Sequence, residues 1–168
     1  MIRVSVADPS SAGVTIRFVP ETGSTNDDMK QLVAEGAAEG LWLRAGRQTA
    51  GRGRMGRAWE SESGNLHAST LVRLRPGDPS APTLACVAAV AVHAALDAFV
   101  GSGGLRIKWP NDIMAGHAKL SGMLMERVGD AIIIGIGVNI LNAPPLPDRM
   151  TISLRDLAQA TLALADAP

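Results

Sequence analysis

The chain has 168 residues, of which 46% are hydrophobic and 3% aromatic, and its sixteen basic residues balance sixteen acidic ones. This length suits one hydrophobic core, and zero net charge excludes a molecule-wide field that would draw in nucleic acid or an anionic membrane. The single cysteine, Cys86, excludes an internal disulfide; set in an alanine-rich apolar stretch, it is expected to be a buried, inert thiol in a reducing cytoplasm.

Met1 to Val6 holds no long apolar segment, and nowhere do 18 apolar residues run uninterrupted, so neither export nor a membrane span is expected. Val14, Ile16 and Phe18 alternate as a strand does, with Pro20 as its end. A helix follows, capped by Ser24 or Thr25, with Asp27 and Asp28 in its first turn and Met29, Leu32 and Val33 as its apolar stripe. Leu41, Trp42 and Leu43 form a short strand. Further on, Leu66, Ala68, Thr70 and Val72 share one face of a strand, and Pro76-Gly77-Asp78-Pro79 is a turn. Ser80 is expected to cap the longest helix. Its Leu84, Val87, Ala88, Ala91, Val92, Ala95, Leu96 and Phe99 recur at helical spacing, which leaves His93 at the surface or half-buried. Gly101 to Gly104 breaks that helix, and Leu105 to Trp109 is extended up to Pro110. A hairpin turning at Gly116-His117 returns through Leu120 to Arg127, and Gly129-Asp130 turns again into Ala131 to Val138. The all-apolar Ile132 to Ile134 predicts a buried central strand. After a loop at Pro144-Pro145-Leu146-Pro147, Ser153 caps a last helix from Leu154 to the end. These elements predict an α+β fold, a largely antiparallel, mixed β-sheet with flanking helices, in a single domain over residues 1–168.

The most informative stretch, Gly46 to Trp59, sets four arginines among four glycines and closes on a tryptophan. Glycine lets backbone approach a ligand closely, guanidinium forks match phosphate or carboxylate oxygens, and the indole offers a flat surface for a ring. Gly51-x-Gly53-x-x-Gly56 is not read as a dinucleotide-binding turn, because Ser61-Glu62-Ser63-Gly64-Asn65 follows where a helix would be needed. Taken alone, the run also suits a disordered surface loop or an RGG-like RNA-binding segment. Against the latter stand zero net charge, no tyrosine and two phenylalanines.

Polar residues cluster in three further places: Ser24-Thr25-Asn26, Lys108-Trp109-Pro110-Asn111-Asp112 followed by Lys119, and Gly137-Val138-Asn139. Proline stiffens the backbone that carries Asn111 and Asp112, which suits a nucleotide or metal contact as well as a plain turn. With Thr22 to Asn26, Gln48 to Trp59, Lys108 to Asp112, Lys119 to Gly122 and Gly135 to Asn139 in this order, the chain resembles the catalytic domain of the biotin protein ligases over about residues 15 to 160. The resemblance implies that family's catalytic-domain fold, akin to class II aminoacyl-tRNA synthetases. It also implies a two-step reaction, in which biotin and ATP with Mg²⁺ give biotinyl-5′-adenylate and pyrophosphate, and a lysine of a biotin carboxyl carrier protein domain then takes the biotin. By the same resemblance, Ser24, Thr25, Asn26 and Gln48 line the biotin pocket, and Arg52, Gly53 and Arg54 order over the adenylate. Trp59 packs against adenine, Asn111 and Asn139 contact the nucleotide or its metal, and Lys119 holds the biotin carboxylate and α-phosphate. Lys119, Arg54 and Asp112 are the expected catalytic residues, and no protein metal site is expected.

The chemistry asks for these residue types. One anion attacks another in the first step, so cations must offset the repulsion. In the second step an amine of ordinary pKa about 10.4 must lose a proton, at a cost of about 4.6 kcal/mol at pH 7, and Asp112 is the carboxylate available. The segment from Gly51 to Ala58 is expected to be mobile until ligands arrive. His67 stands where the family often has an aromatic, which leaves that part of the pocket wall open. The resemblance starts almost at the catalytic core, so a winged-helix DNA-binding domain and a C-terminal SH3-like domain are not expected within the chain; partners would be biotin, ATP and the carrier, with no nucleic acid or membrane, and a homodimer left open. Two alternatives stand beside this reading: a lipoate ligase of the same superfamily, and a non-catalytic biotin or adenylate binder.

Overall fold

The alternations of the sequence resolve into eight strands and three helices among the described residues, 3–4, 13–101 and 103–165, of a computed structural model. The rest of the N-terminal stretch, Ser102 of the helix break and the last three residues lie outside these. The strands are β1 (Arg3–Val4), β2 (Thr15–Thr22), β3 (Leu41–Gln48), β4 (Leu66–Arg73), β5 (Leu105–Lys108), β6 (Asp112–Ala115), β7 (Ala118–Val128) and β8 (Ala131–Val138); the helices are α1 (Thr25–Ala34), α2 (Thr83–Val100) and α3 (Leu154–Ala165). One sheet has the order β1-β2-β3-β4-β8-β7-β6-β5, and every pair is antiparallel except β2 with β3, which α1 joins by a crossover. The expected α+β class and mixed, mostly antiparallel sheet are what the structure has.

Pro20 does not end its strand as the sequence suggested. β2 runs on to Thr22, because β1 pairs with it only around Arg17 and Phe18 and the β2–β3 register passes over Pro20, so its missing N–H costs no ladder bond. Strand β8 lies between β4 and β7, and its alternation splits it between two cores. Ala131 and Ile133 join Met29, Val33, Leu41, Leu43 and Leu71 under α1, whereas Ile132, Ile134 and Val138 join Val92, Leu96 and Leu120 under α2.

Helix α2 begins at Thr83, after a turn in which the Ser80 carbonyl accepts the Thr83 N–H at 2.8 Å, so Ser80 is not its cap. Its inward stripe is narrower than the sequence implied: Ala88, Ala89, Val92 and Leu96 are buried, but Val87 is 57% and Phe99 81% exposed. Cys86 falls on the same outer side, so the thiol expected to be buried is exposed. The helix lies mainly over β5, β6 and β7 toward the sheet edge, which leaves its outer side uncovered. By length and composition it could cross a bilayer, with mean hydropathy 1.9 over 18 residues, yet its inner stripe belongs to the core. His93 is half-buried, as expected, with Nε2 3.2 Å from the Leu105 carbonyl.

The caps differ in kind. Ser153 behaves as expected: its hydroxyl accepts the Asp156 N–H at 3.1 Å and donates to the Asp156 carboxylate at 2.6 Å. Ser24 holds the extended backbone of a cap but makes no side-chain cap bond. A staple that sequence patterning could not show is Asn65, 2% exposed. Its Oδ1 accepts the N–H groups of Ile140, Leu141 and Asn142 at 2.9–3.1 Å, and its Nδ2 donates to the Asn142 carbonyl. Asn65→Ala would strand three donors and is expected to cost about 2–4 kcal/mol in urea unfolding. Asn65→Asp keeps the acceptor and should recover most of that loss; equal destabilisation by both variants would refute the staple.

Candidate active site

Beyond the N-terminal end of α1, strands β7 and β8 present glycines on the sheet face toward that helix. The registers align Asp112, Gly122, Gly137, His67 and Ala45 in one row across β6, β7, β8, β4 and β3, and Gly135 lies two residues back along β8. Over this glycine floor opens a cavity of about 740 Å³. A Cβ on Gly135 would stand 2.3 Å from the Asn26 Oδ1, and one on Gly137 2.4 Å from the Trp59 ring, so only glycine lets these groups approach the sheet. Every residue that the sequence assigned to biotin, nucleotide or catalysis lines this one cavity.

The wall nearest α1 is a hydrogen-bonded chain. Gln48 Oε1 accepts from the Thr25 backbone N–H at 2.8 Å and from its hydroxyl at 3.0 Å, and Gln48 Nε2 donates to Ser61 Oγ at 2.9 Å. Asn26 is 4% exposed and fully engaged: it donates to the Glu126 carboxylate at 2.8 Å and accepts from Ser69 at 2.7 Å. Asn139 is also occupied, its amide reaching the Ile152 carbonyl at 3.2 Å where β8 leads towards α3. Asn26 is engaged at both ends of its amide, whereas Asn139 is held through its NH2 group. Asn111 bridges across the site, donating to the Met123 carbonyl at 2.7 Å and accepting from Arg54 at 3.2 Å.

The arginine loop is a small hairpin closed by Gly53 N–H to Arg57 at 2.7 Å and Trp59 N–H to Gly51 at 2.9 Å. Its tip is a single 3₁₀ turn, Arg54–Gly56, in which Met55 takes a positive φ of 58° and is 89% exposed. Arg52 does not point a free fork into the cavity. Its guanidinium grips Asp27 through two bonds of 2.6 Å, with Glu126 3.7 Å away. Lys30 completes the cluster, 2.9 Å from Asp27 and 2.6 Å from Glu126. The Arg52 fork holds the Asp27 carboxyl well below the usual carboxylate range, and hydrogen bonds from Lys30 and Asn26 outweigh burial to lower that of Glu126. The sequence showed Asp27 only as a first-turn acid; its partnership with Arg52 depends on folding.

At the far end of the floor Lys119 Nζ lies 2.8 Å from Asp112 Oδ1 and 5.3 Å from the centre of the Trp59 ring. Arg149, which the sequence did not single out, approaches the other oxygen of Asp112 at 3.5 Å. His67 is not part of the cavity lining. Fully buried, it has an imidazole pKa lowered mainly by desolvation, and Nε2 lies 3.1 Å from the Glu62 carbonyl, beneath the segment that follows Trp59.

Residues 18–139 match the Biotin/lipoate A/B protein ligase family, and the chain belongs to that family. It is 40% identical over 133 residues to a biotin–[acetyl-CoA-carboxylase] ligase of Paracoccus denitrificans, an alignment covering 76% of this chain and 55% of that protein. Among solved structures it resembles the Leishmania major biotin protein ligase in complex with biotinyl-5-AMP, with a TM-score of 0.75 and 32% identity over 88% of this chain and 72% of that one. The Aquifex aeolicus biotin protein ligase in complex with biotin and ATP also matches at TM-score 0.75, with 31% identity over 86% of this chain and 61% of that one. The chain spans about half the length of the curated relatives it matches.

The Asp27 tether makes a prediction about the loop. Asp27→Ala frees Arg52, so trypsin cleavage after Arg54 and Arg57 should rise several-fold, as expected when a tether of roughly 1 kcal/mol is lost from partly exposed groups. Because the carboxyl is lowered, the tether is present above the usual carboxylate range and is lost only as pH falls below about 4 through the folded value. Cleavage rates equal to wild type at pH 7 would show that the tether does not hold the loop.

Proposed function

We propose that the chain carries the biotin ligase reaction: biotin and ATP form biotinyl-5′-adenylate with release of pyrophosphate, and a lysine of a biotin carboxyl carrier protein domain then takes the biotin and releases AMP. The observation that carries this reading is the convergence of all the assigned residues on one glycine-floored cavity with a cation at its far end. Thr25 and Gln48 supply fixed donor and acceptor groups for a ureido head, and the floor has room for a flat bicyclic ring and its chain. Lys119 brings positive charge to the place where a carboxylate and an α-phosphate must meet, and Arg54 stands beside Asn111 on the same wall. Trp59 offers an indole face for adenine, and the Asp112 carboxylate is the base candidate for the incoming amine.

Magnesium would arrive on the ATP phosphates, whose charge it offsets. No cluster of three or more His, Cys, Asp or Glu side chains is present among the described residues, and Asp112 is already held by Lys119 and Arg149, so the residues here do not make a protein-only metal site. A cytoplasmic setting belongs to the same reading.

The test is a carrier domain incubated with this chain, biotin and ATP, with the expected outcome a mass increase of one biotin. Pyrophosphate release with lipoate but not biotin would assign the site to the other branch of the family. Lys119→Ala should lower adenylate formation by roughly 10- to 150-fold, the range for one charged hydrogen bond, while biotin binding by calorimetry falls much less. Equal losses in both would remove Lys119 from the chemical step.

A further inference from the structure

We propose that Arg149 and Arg57 form a grip for linked phosphate groups, and that the Asp148 carboxylate is the internal anion that occupies this grip until a polyphosphate displaces it. The inference deepens the ligase reading, since it concerns the leaving group of the first step.

A chain of alternating charges crosses the mouth of the cavity. From Lys119 it passes to Asp112 at 2.8 Å, to Arg149 at 3.5 Å, to Asp148 at 2.6 Å, and to Arg57 of the arginine loop at 3.8 Å. Asp148 meets Arg149 through both oxygens, with a second bond to Nε at 3.1 Å, which is the fork a phosphate also makes. The two carboxylates differ in one decisive respect: the Asp112 side chain is 11% exposed and that of Asp148 50%. Asp112 is therefore a fixed counter-ion, and Asp148 can swing into solvent. The Arg149 fork argues for a role beyond surface pairing, because its side chain is only 23% exposed and its segment is fastened to β7 by Lys119 N–H to Met150 at 2.8 Å and Ile152 N–H to Lys119 at 3.0 Å.

Charge balance points the same way. Although the chain is neutral, six cationic and three anionic side chains line the cavity. Removing Asp148 from the balance leaves an excess suited to a polyanion. In the first step the biotin carboxylate oxygen bonds to the α-phosphorus and the bond from that phosphorus to the bridging oxygen breaks, with the electron pair leaving on pyrophosphate. Two guanidiniums released from Asp148 would receive that charge. Asp148 is anionic throughout the neutral range, since its bond from Arg149 lowers its carboxyl to about 2.

Calorimetry with inorganic pyrophosphate, ATP and AMP separates the sources of phosphate without requiring turnover. At low salt, Asp148→Asn should tighten pyrophosphate and ATP binding about three- to tenfold, because a competing anion is gone. Arg149→Gln should weaken both at least tenfold, and Arg149→Lys, which keeps the charge and loses the fork, should fall between. AMP and biotin should change less than twofold in all three variants. Weaker or unchanged pyrophosphate binding in Asp148→Asn would overturn the proposal, as would no pyrophosphate binding by the wild-type chain or an equal effect of Arg149→Gln on AMP. If the binding pattern holds but biotin and ATP yield no adenylate, the ligase reading fails and the phosphate grip stands; if the carrier is biotinylated while pyrophosphate binding ignores these variants, the reverse is true.

Discussion

The site depends on a steric constraint: at Gly122, Gly135 and Gly137 the face of β7 and β8 toward α1 carries no side chains, and the groups that roof the cavity rest where those side chains would have been. Cβ atoms there would lie 2.3–2.8 Å from the Asn26 amide, the Trp59 ring and the Lys119 ammonium, closer than any packed contact allows. The amide and the indole cannot give way without cost. Asn26 is bound to Ser69 and Glu126, and Trp59 is fixed by the hairpin bond to Gly51. Elsewhere on the same face ordinary side chains pack, with Met29 and Val33 on Leu71 and Ile133. The cavity begins where that packing stops.

Above the floor the dominant effect is electrostatic pairing rather than free charge. Arg52 is spent on Asp27, Lys119 and Arg149 share Asp112, and Arg57 faces Asp148. A guanidinium already held by a carboxylate keeps its orientation with little entropy left to lose, so an anionic ligand trades one partner for another instead of ordering a loose side chain. The partly exposed pairs are the exchangeable ones, since water screens them and lowers the cost of separation. The buried Lys119–Asp112 pair, with side chains 12% and 11% exposed, is the fixed reference around which the others can rearrange.

Helix α2 contributes stability on one side only. Its inward stripe of Ala88, Ala89, Val92 and Leu96 closes a core that reaches from β5 to β8, and its opposite side leaves Cys86, Val87, Val90 and Phe99 at the surface. Helical spacing in the sequence marks which positions are apolar around the whole circumference, but only the width of the sheet beneath decides which of them are covered. That is why the stripe drawn from the sequence was too broad and the thiol was misplaced.

The sequence by itself determined whatever depends on near neighbours: the Ser153 cap, the turns at Gly116-His117 and Gly129-Asp130, the buried Ile132 to Ile134 run, and the motifs that now meet in one cavity. Such features follow from backbone preferences and side-chain periodicity within a few residues, so they survive reading one stretch at a time. The tertiary structure alone decided the parallel pairing of β2 with β3, the glycine row, the Asp27–Arg52 tether and the approach of Arg149 to Asp112, 37 positions away in the chain. The pairing and the glycine row rest on strand register, where a shift of one residue would turn the side chains to the other face, and the two ion pairs join a helix or strand to a loop distant in the chain.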